Sequence, residues 1–403
     1  MIVAAGCEDG LMNRNLILLA LCQGLFLTNN VVFIAINGLV GLQTAPASWM
    51  ATLPITGYVV GGAVSTVLVA RVQARWGRRR SFQLGLVVAA LSAAGCAWAA
   101  SNANFWMLVA FTFVAGFYSA NASLYRFAGT ELVAPAYKER AISLVLAGGV
   151  IGAFVGPNLA NATRNLLAVP FAAAYLALVG VALLSLAALS TIRFPDHVKP
   201  VAGAGTGRTL FEIARQPTFI VAMLAAALGY GVMNLLMAAT PIAMQRCGLP
   251  FSDAALVLEW HVLGMFVPSF FTGHLVRRFG ALPVMGCGVL LQALCIAVAL
   301  SGVELMQFLV ALLTLGVGWN FLYVGGSTLL TATYRPEEKN KAQGAMDFCV
   351  FSTLALSSLA SGALVTTQGW AWLNLASVPA VLAVAAALLW LAMRQRHTTR
   401  VAA

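Results

Sequence analysis

Three side chains able to carry protons stand inside long apolar stretches of this sequence. Glu259 and His261 fall in the run 252–276, and Asp347 falls in the run 342–366. A charged group at mid-bilayer depth costs upward of ~2.5 kcal/mol, so an ionisable residue in such a run asks for a function. The chemistry that suits a carboxylic acid there is taking up a proton on one side of a barrier and releasing it on the other. Glu259 is the first candidate for that step, Asp347 the second, and His261 a third. On a helix, His261 points about 200° around from Glu259, so a shared face is not required by the spacing. The plainer alternatives are an interfacial role for Glu259, near the outer end of its run, and an ion pair between Asp347 and an inner-loop arginine such as Arg71 or Arg75.

A second set of candidates is polar but uncharged. Asn29, Asn30, Tyr118, Asn121, Asn158, Asn234, Asn320 and Tyr323 lie in apolar runs, accompanied by Met233, Met237 and Trp319. Amides orient a ligand, while methionine and aromatic rings give an adaptable apolar wall. Each asparagine is equally suited to a hydrogen bond between helices. Some chemistry is missing. The sequence has no P-loop pattern, no His-Glu-x-x-His and no Gly-x-Ser-x-Gly, which argues against the commonest nucleotide hydrolases and esterases. The four histidines are dispersed and the seven cysteines form no C-x-x-C pair, so neither a metal site nor a disulfide framework is expected. No cofactor is expected either.

The elements that must position these residues follow from composition. Of 403 residues, 61% are hydrophobic and 9% charged, against roughly a quarter charged in soluble domains. The apolar residues come in blocks of about 20 or more, the length that crosses a hydrocarbon core ~30 Å thick at 1.5 Å per residue. Lipid gives backbone amides no partners, so such blocks must be helices. The runs predict spans at about 15–41, 47–70, 81–100, 105–127, 141–161, 168–192, 217–244, 252–276, 282–302, 305–333, 342–366 and 370–393. A long first run, preceded by Glu8 and Asp9, reads as a retained span rather than a cleaved signal peptide. The fold class is therefore an all-α membrane protein with twelve transmembrane helices. Residues 1–192 and 217–403 form two six-helix bundles, joined by a linker at 193–216. That linker holds Pro195, Pro200 and the glycines from Gly203 to Gly207, and ends in a short amphipathic helix from Arg208 to Gln216.

Charge sets the expected orientation. With the N-terminus inside, 21 of the 23 Lys and Arg residues fall on the inner side, leaving only Arg164 and Arg246 outside. This split predicts an even number of spans with both termini cytoplasmic, and the expected location is the bacterial inner membrane. It also explains the net charge of +11 by topology and anionic lipid rather than by nucleic acid. The halves repeat each other: Arg75-Trp76-Gly77-Arg78 after span two is echoed by Arg278-Phe279-Gly280 after span eight. Pro135…Arg140-Ala141 before span five is likewise echoed by Pro336…Lys341-Ala342 before span eleven.

These repeated residues are the ones by which the chain resembles the major facilitator superfamily. The family's loop between spans two and three usually reads Gly-x-Leu-Ala-Asp-Arg-x-Gly-Arg-Arg. Here it is Ala70-Arg71-Val72-Gln73-Ala74-Arg75-Trp76-Gly77-Arg78-Arg79, with alanine at the acidic position. The second copy, Gly273-His274-Leu275-Val276-Arg277-Arg278-Phe279-Gly280, has Arg277 there. The resemblance implies a gating latch at Arg71, Arg75, Gly77, Arg78, Gly273, Arg277, Arg278 and Gly280, although the missing carboxylate alters its usual chemistry. Span five carries Gly148-Gly149-Val150-Ile151-Gly152-Ala153-Phe154-Val155-Gly156-Pro157, which resembles the Gly-x-x-x-Gly-Pro motif of proton-coupled exporters. Gly152, Gly156 and Pro157 are its core. Small residues there allow close helix approach, and Pro157 removes one helical hydrogen bond. The arginine common in span four of exporters is Thr112 here.

The resemblance further implies that spans one, four, seven and ten line a central cavity. The expectation is a monomeric secondary transporter in the lipid bilayer, driven by protons and exporting small amphipathic organic molecules by alternating access. The alternative is a proton symporter importing a small organic metabolite or cofactor precursor. An integral-membrane enzyme would need catalytic residues clustered at one membrane face, and a channel a repeated filter loop; neither pattern is present.

Overall fold

The computed structural model describes residues 13–134, 138–194, 207–335 and 338–402. The N-terminal residues 1–12, the landmarks Pro135 and Pro336, and the linker stretch with Pro195, Pro200 and Gly203 lie outside the described residues. Among the described residues, twelve helices are long and apolar enough to cross a membrane. The first six are Arg14–Thr44, Ser48–Gln73, Arg75–Ser101, Phe105–Gly129, Leu144–Thr163 and Ala172–Ser190. The second six are Pro217–Arg246, Phe251–Phe279, Ala281–Ser301, Leu305–Thr331, Lys341–Thr367 and Gly369–Gln395. They are numbered as spans one to twelve in that order. The chain divides into two compact units: Met1–Ala47 with Leu53–Pro200, and Ser48–Thr52 with Val201–Ala403.

Two boundaries differ from the sequence expectation. Span six begins at Ala172, not near 168. Pro170 disfavours helix at the residue before it, and Phe171 adopts a left-handed φ of 66°. Its N–H reaches back to the Arg164 carbonyl at 2.8 Å, closing the turn. The basic segment 71–80, expected as a loop, is instead almost wholly helical, with a single non-helical break. That break is Gly77, with φ 78° and ψ 171°. The repeat in the second unit breaks the same way at Gly280, with φ 85° and ψ 161°. A Cβ at positive φ collides with its own backbone, which is why the motif keeps glycine while its acidic position drifts. Gly77→Ala and Gly280→Ala are each expected to lower stability by about 1 kcal/mol. Thermal unfolding of the purified chain checks this, and because ψ there is 161° rather than in the left-handed helical region, Gly280→Asn is expected to lose as much as alanine.

In the first unit, Leu16, Leu19 and Phe26 of span one pack with Phe82 and Leu86 of span three and Tyr118 and Tyr125 of span four. Phe82 meets Tyr125 edge to face at 4.9 Å, and Phe26 meets Tyr118 likewise at 5.5 Å. Glycine then sets the closest approach. A Cβ on Gly152 would lie 2.6 Å from both the Leu27 Cβ and the Thr28 nitrogen, and one on Gly156 2.9 Å from the Val31 Cβ. Spans one and five therefore touch backbone to backbone along the Gly148, Gly152, Gly156 row, and Pro157 sits buried within span five at the end of that row.

The second unit is stitched by buried amides. Gln292 of span nine donates to the Gly229 carbonyl of span seven at 3.0 Å. Thr52 donates to the Ser358 carbonyl at 2.6 Å and accepts from the Gly362 N–H at 3.0 Å, seating Ser48–Thr52 on span eleven. Lipid does not drive apolar helices together, so close packing and such hydrogen bonds must.

Candidate functional site

Gly229 and Gly231 in span seven have no Cβ where one would press on Leu322 and Thr353. The close approach at Gly229 brings Tyr230 of span seven against span ten, where the i, i+4 pair Trp319 and Tyr323 shares a helix face. Trp319 and Tyr323 lie nearly parallel, with ring centroids 5.1 Å apart and planes 11° off. Tyr230 stands edge-on to both, at 5.0 Å from Trp319 and 5.5 Å from Tyr323. Phe266 of span eight approaches Trp319 at 6.2 Å. Trp319 is 6% exposed, and its indole Nε1 has no hydrogen-bond partner among the described residues. Tyr230 and Tyr323 are half-buried. Met233 and Met237 are buried in span seven.

The structure engages several candidate amides in the scaffold. Asn234 donates to the Ser357 and Ser358 hydroxyls at 2.9 and 2.8 Å, tying span seven to span eleven. Asn320 accepts from Thr272 at 2.6 Å and donates to Ser269 and the Met265 carbonyl, tying span ten to span eight. Asn121 accepts from Ser81 at 2.7 Å and donates to the Phe117 carbonyl. Tyr118 is buried against Phe26. In span one, Asn29 is buried with its Oδ1 unpartnered among the described residues, while Asn30 reaches the Tyr58 hydroxyl at 3.4 Å. Asn158 is exposed and donates to the Phe154 carbonyl.

The titratable candidates do not share one arrangement. His261 is fully buried, its Nδ1 2.6 Å from the Leu312 carbonyl of span ten. A carbonyl only accepts, so Nδ1 carries a hydrogen. Glu259 is half-buried in span eight, and Asp347 is exposed on span eleven. At the motif, Arg75 lies over the Trp76 ring, Arg71 is exposed, and Arg277 contacts the His274 ring. Arg278 stacks over Phe279, and Gly273 has open space around it.

Sequence reasoning missed two acids and two rings. Glu131, past span four, pairs with Arg78 at 2.7 Å, supplying a carboxylate where Ala74 does not. Glu338, before span eleven, has a side chain 0% exposed and pairs with Arg208 at 2.7 Å. The signal was present: an acid within a loop holding Arg335 and Lys341. Tyr230 and Phe266 escaped notice because their value depends on which helices meet.

Comparison with known proteins places this architecture. The sequence profile described as Major Facilitator Superfamily matches residues 16–259 and 226–402. A protein of Brucella anthropi named Riboflavin transporter RfnT is 38% identical over 370 residues, covering 91% of this chain and 93% of its own. The MFS-type transporter YdeG of Bacillus subtilis is 28% identical over 94% of this chain and 91% of its own. Among solved structures, the nucleoside transporter NupG superimposes with a TM-score of 0.72 at 14% identity, covering 94% of this chain and 99% of that one. A bacterial homolog of the human lysosomal transporter Spinster also gives 0.72, at 16% identity, covering 94% of this chain and 96% of its own. At such identities these two show the fold alone. Profile, relatives and fold agree: the chain belongs to the Major Facilitator Superfamily and is a multi-pass membrane transporter of a small-molecule substrate, not an enzyme.

Proposed function

We propose that this transporter carries riboflavin or a close flavin relative into the cell across the inner membrane, driven by the proton gradient. The observation that carries the reading is the 38% identity, over nearly the full length of both chains, to a protein named as a riboflavin transporter. Riboflavin joins a flat tricyclic ring to a hydroxylated ribityl chain and is neutral. It calls for aromatic surface and uncharged hydrogen-bonding groups, the two kinds of residue that spans seven and ten supply. Direction follows from use, because a cofactor precursor is consumed inside the cell. The Gly-x-x-x-Gly-Pro resemblance to exporters carries less weight, since Gly152 and Gly156 have a local reason in the close packing of spans one and five. The 21-to-2 distribution of basic residues supports cytoplasmic termini.

The test is growth of a riboflavin auxotroph on limiting vitamin. Expression of this chain is expected to restore growth and labelled riboflavin uptake, and no gain despite membrane insertion would overturn the reading. Glu259 is the proposed proton carrier, being a half-buried acid about two turns inside span eight, whereas Asp253 sits in its first turn. Glu259→Gln is expected to cut gradient-driven uptake at least about tenfold while sparing riboflavin exchange across the membrane. Unimpaired concentrative uptake by that variant would remove Glu259 from the role.

A further inference from the structure

The Tyr230, Trp319 and Tyr323 cluster has two features that helix packing alone leaves unexplained. Tyr230 and Tyr323 are half-buried, so they leave ring surface uncovered beside Trp319, which is 6% exposed. Within the same cluster, the Trp319 indole N–H is buried without an acceptor among the described residues. Buried donors are nearly always paired, and an exception calls for a reason. Tryptophan is ordinarily placed in a core only where its N–H finds a partner. A ligand that stacks on the rings and offers an acceptor at its edge would account for both features at once.

Building on the flavin reading above, we infer that Tyr323 stacks against the tricyclic end of the substrate, which lies edge to edge with Trp319 so that the in-plane indole N–H donates to an acceptor on the ring system. The isoalloxazine edge carries two carbonyl oxygens and unprotonated ring nitrogens, so an acceptor lies in the plane of the stacked surface. Tyr323 and Trp319 already lie within 11° of parallel, which presets one platform orientation. Tyr230 stands edge-on to both rings and walls the platform on the span-seven side. The ribityl chain then lies off the aromatic platform and contributes less to selection than the ring.

The test is flavin fluorescence quenching on the purified full-length chain, titrated with riboflavin. Stacking on aromatic side chains predicts that Tyr323→Leu and Trp319→Leu each weaken binding about tenfold or more. Trp319→Phe keeps a ring but loses the donor, and is expected to fall between wild type and Trp319→Leu. Competition on the unsubstituted chain needs no variant to fold: lumichrome, the ring without its ribityl chain, should displace riboflavin, and ribitol should not. Affinities within twofold of wild type for both leucine variants, or displacement by ribitol but not lumichrome, would overturn the platform while leaving flavin transport standing. No riboflavin binding by the unsubstituted chain would instead bring down the substrate assignment and the platform with it.

Discussion

Replacing Gly152 by leucine is expected to abolish the folded transporter, seen as loss of the monodisperse species on size exclusion and of cooperative thermal unfolding. The reason is backbone contact. Even a methyl group there would lie 2.6 Å from the Thr28 nitrogen and 2.8 Å from the Leu27 carbonyl carbon, well inside van der Waals distance. Side chains can rotate away from an intruder; backbone cannot without moving a helix. Overpacking a close-packed interior typically costs about 1–3 kcal/mol, and more when the neighbour is rigid. Spans one and five also depend on this approach more than soluble helices would, because lipid leaves packing to supply their association. Gly180, in span six, provides the control, for a Cβ there meets nothing within 4 Å. Gly180→Leu should leave the melting temperature nearly unchanged. Equal melting temperatures for the two variants would refute the packing argument.

Glu338→Gln should produce the second large effect, a lower melting temperature together with a changed acid response. The Glu338 carboxylate accepts from Arg208 through Nε at 2.9 Å, Nη2 at 2.7 Å and the backbone N–H at 2.8 Å, and from the Arg335 N–H at 2.9 Å. Arg208 also donates to the Thr333 carbonyl at 3.0 Å. Removing one partner strands a guanidinium built for bidentate pairing. These hydrogen bonds, the Arg208 side chain's first, hold the carboxyl down from an ordinary 4.5 to about 2, against the opposing effect of burial. A depressed carboxyl stabilises the fold fully above its unfolded value. That contribution fades as pH falls from about 4.5 towards about 2. The wild-type melting temperature should therefore drop across that window more steeply than that of Glu338→Gln. Parallel curves would mean the pair does not hold the end of the linker.

Much of the architecture was legible in the sequence because bilayer thickness fixes helix length and lipid forbids other backbone structure. Predicted spans such as 105–127 and 305–333 end within two residues of Phe105–Gly129 and Leu305–Thr331. The errors fall where a single backbone angle decides. No composition rule announces that Phe171 will turn left-handed, or that one glycine, Gly77, is the non-helical break within Leu53–Ser101.

The candidate site was legible only along single helices. Trp319 and Tyr323 are four apart, so their shared face follows from helical geometry. Tyr230 joins them because Gly229 lets span seven come close to Leu322 of span ten, and that is a property of the packed bundle. Asn234 and Asn320 looked like ligand contacts because a buried amide needs partners; the structure shows those partners on neighbouring helices. Glu338 was hidden for a related reason. Counting loop charges by sign treats Arg208 as topology, whereas its carboxylate partner lies 130 residues further along the chain.

The most direct test of flavin uptake is transport by the purified chain in proteoliposomes with labelled riboflavin outside and an inwardly directed proton gradient. Accumulation above the external concentration is expected, with collapse of that accumulation on adding a protonophore and inhibition by excess unlabelled riboflavin. Liposomes that exclude riboflavin, or that expel preloaded riboflavin against its gradient as protons enter, would contradict uptake.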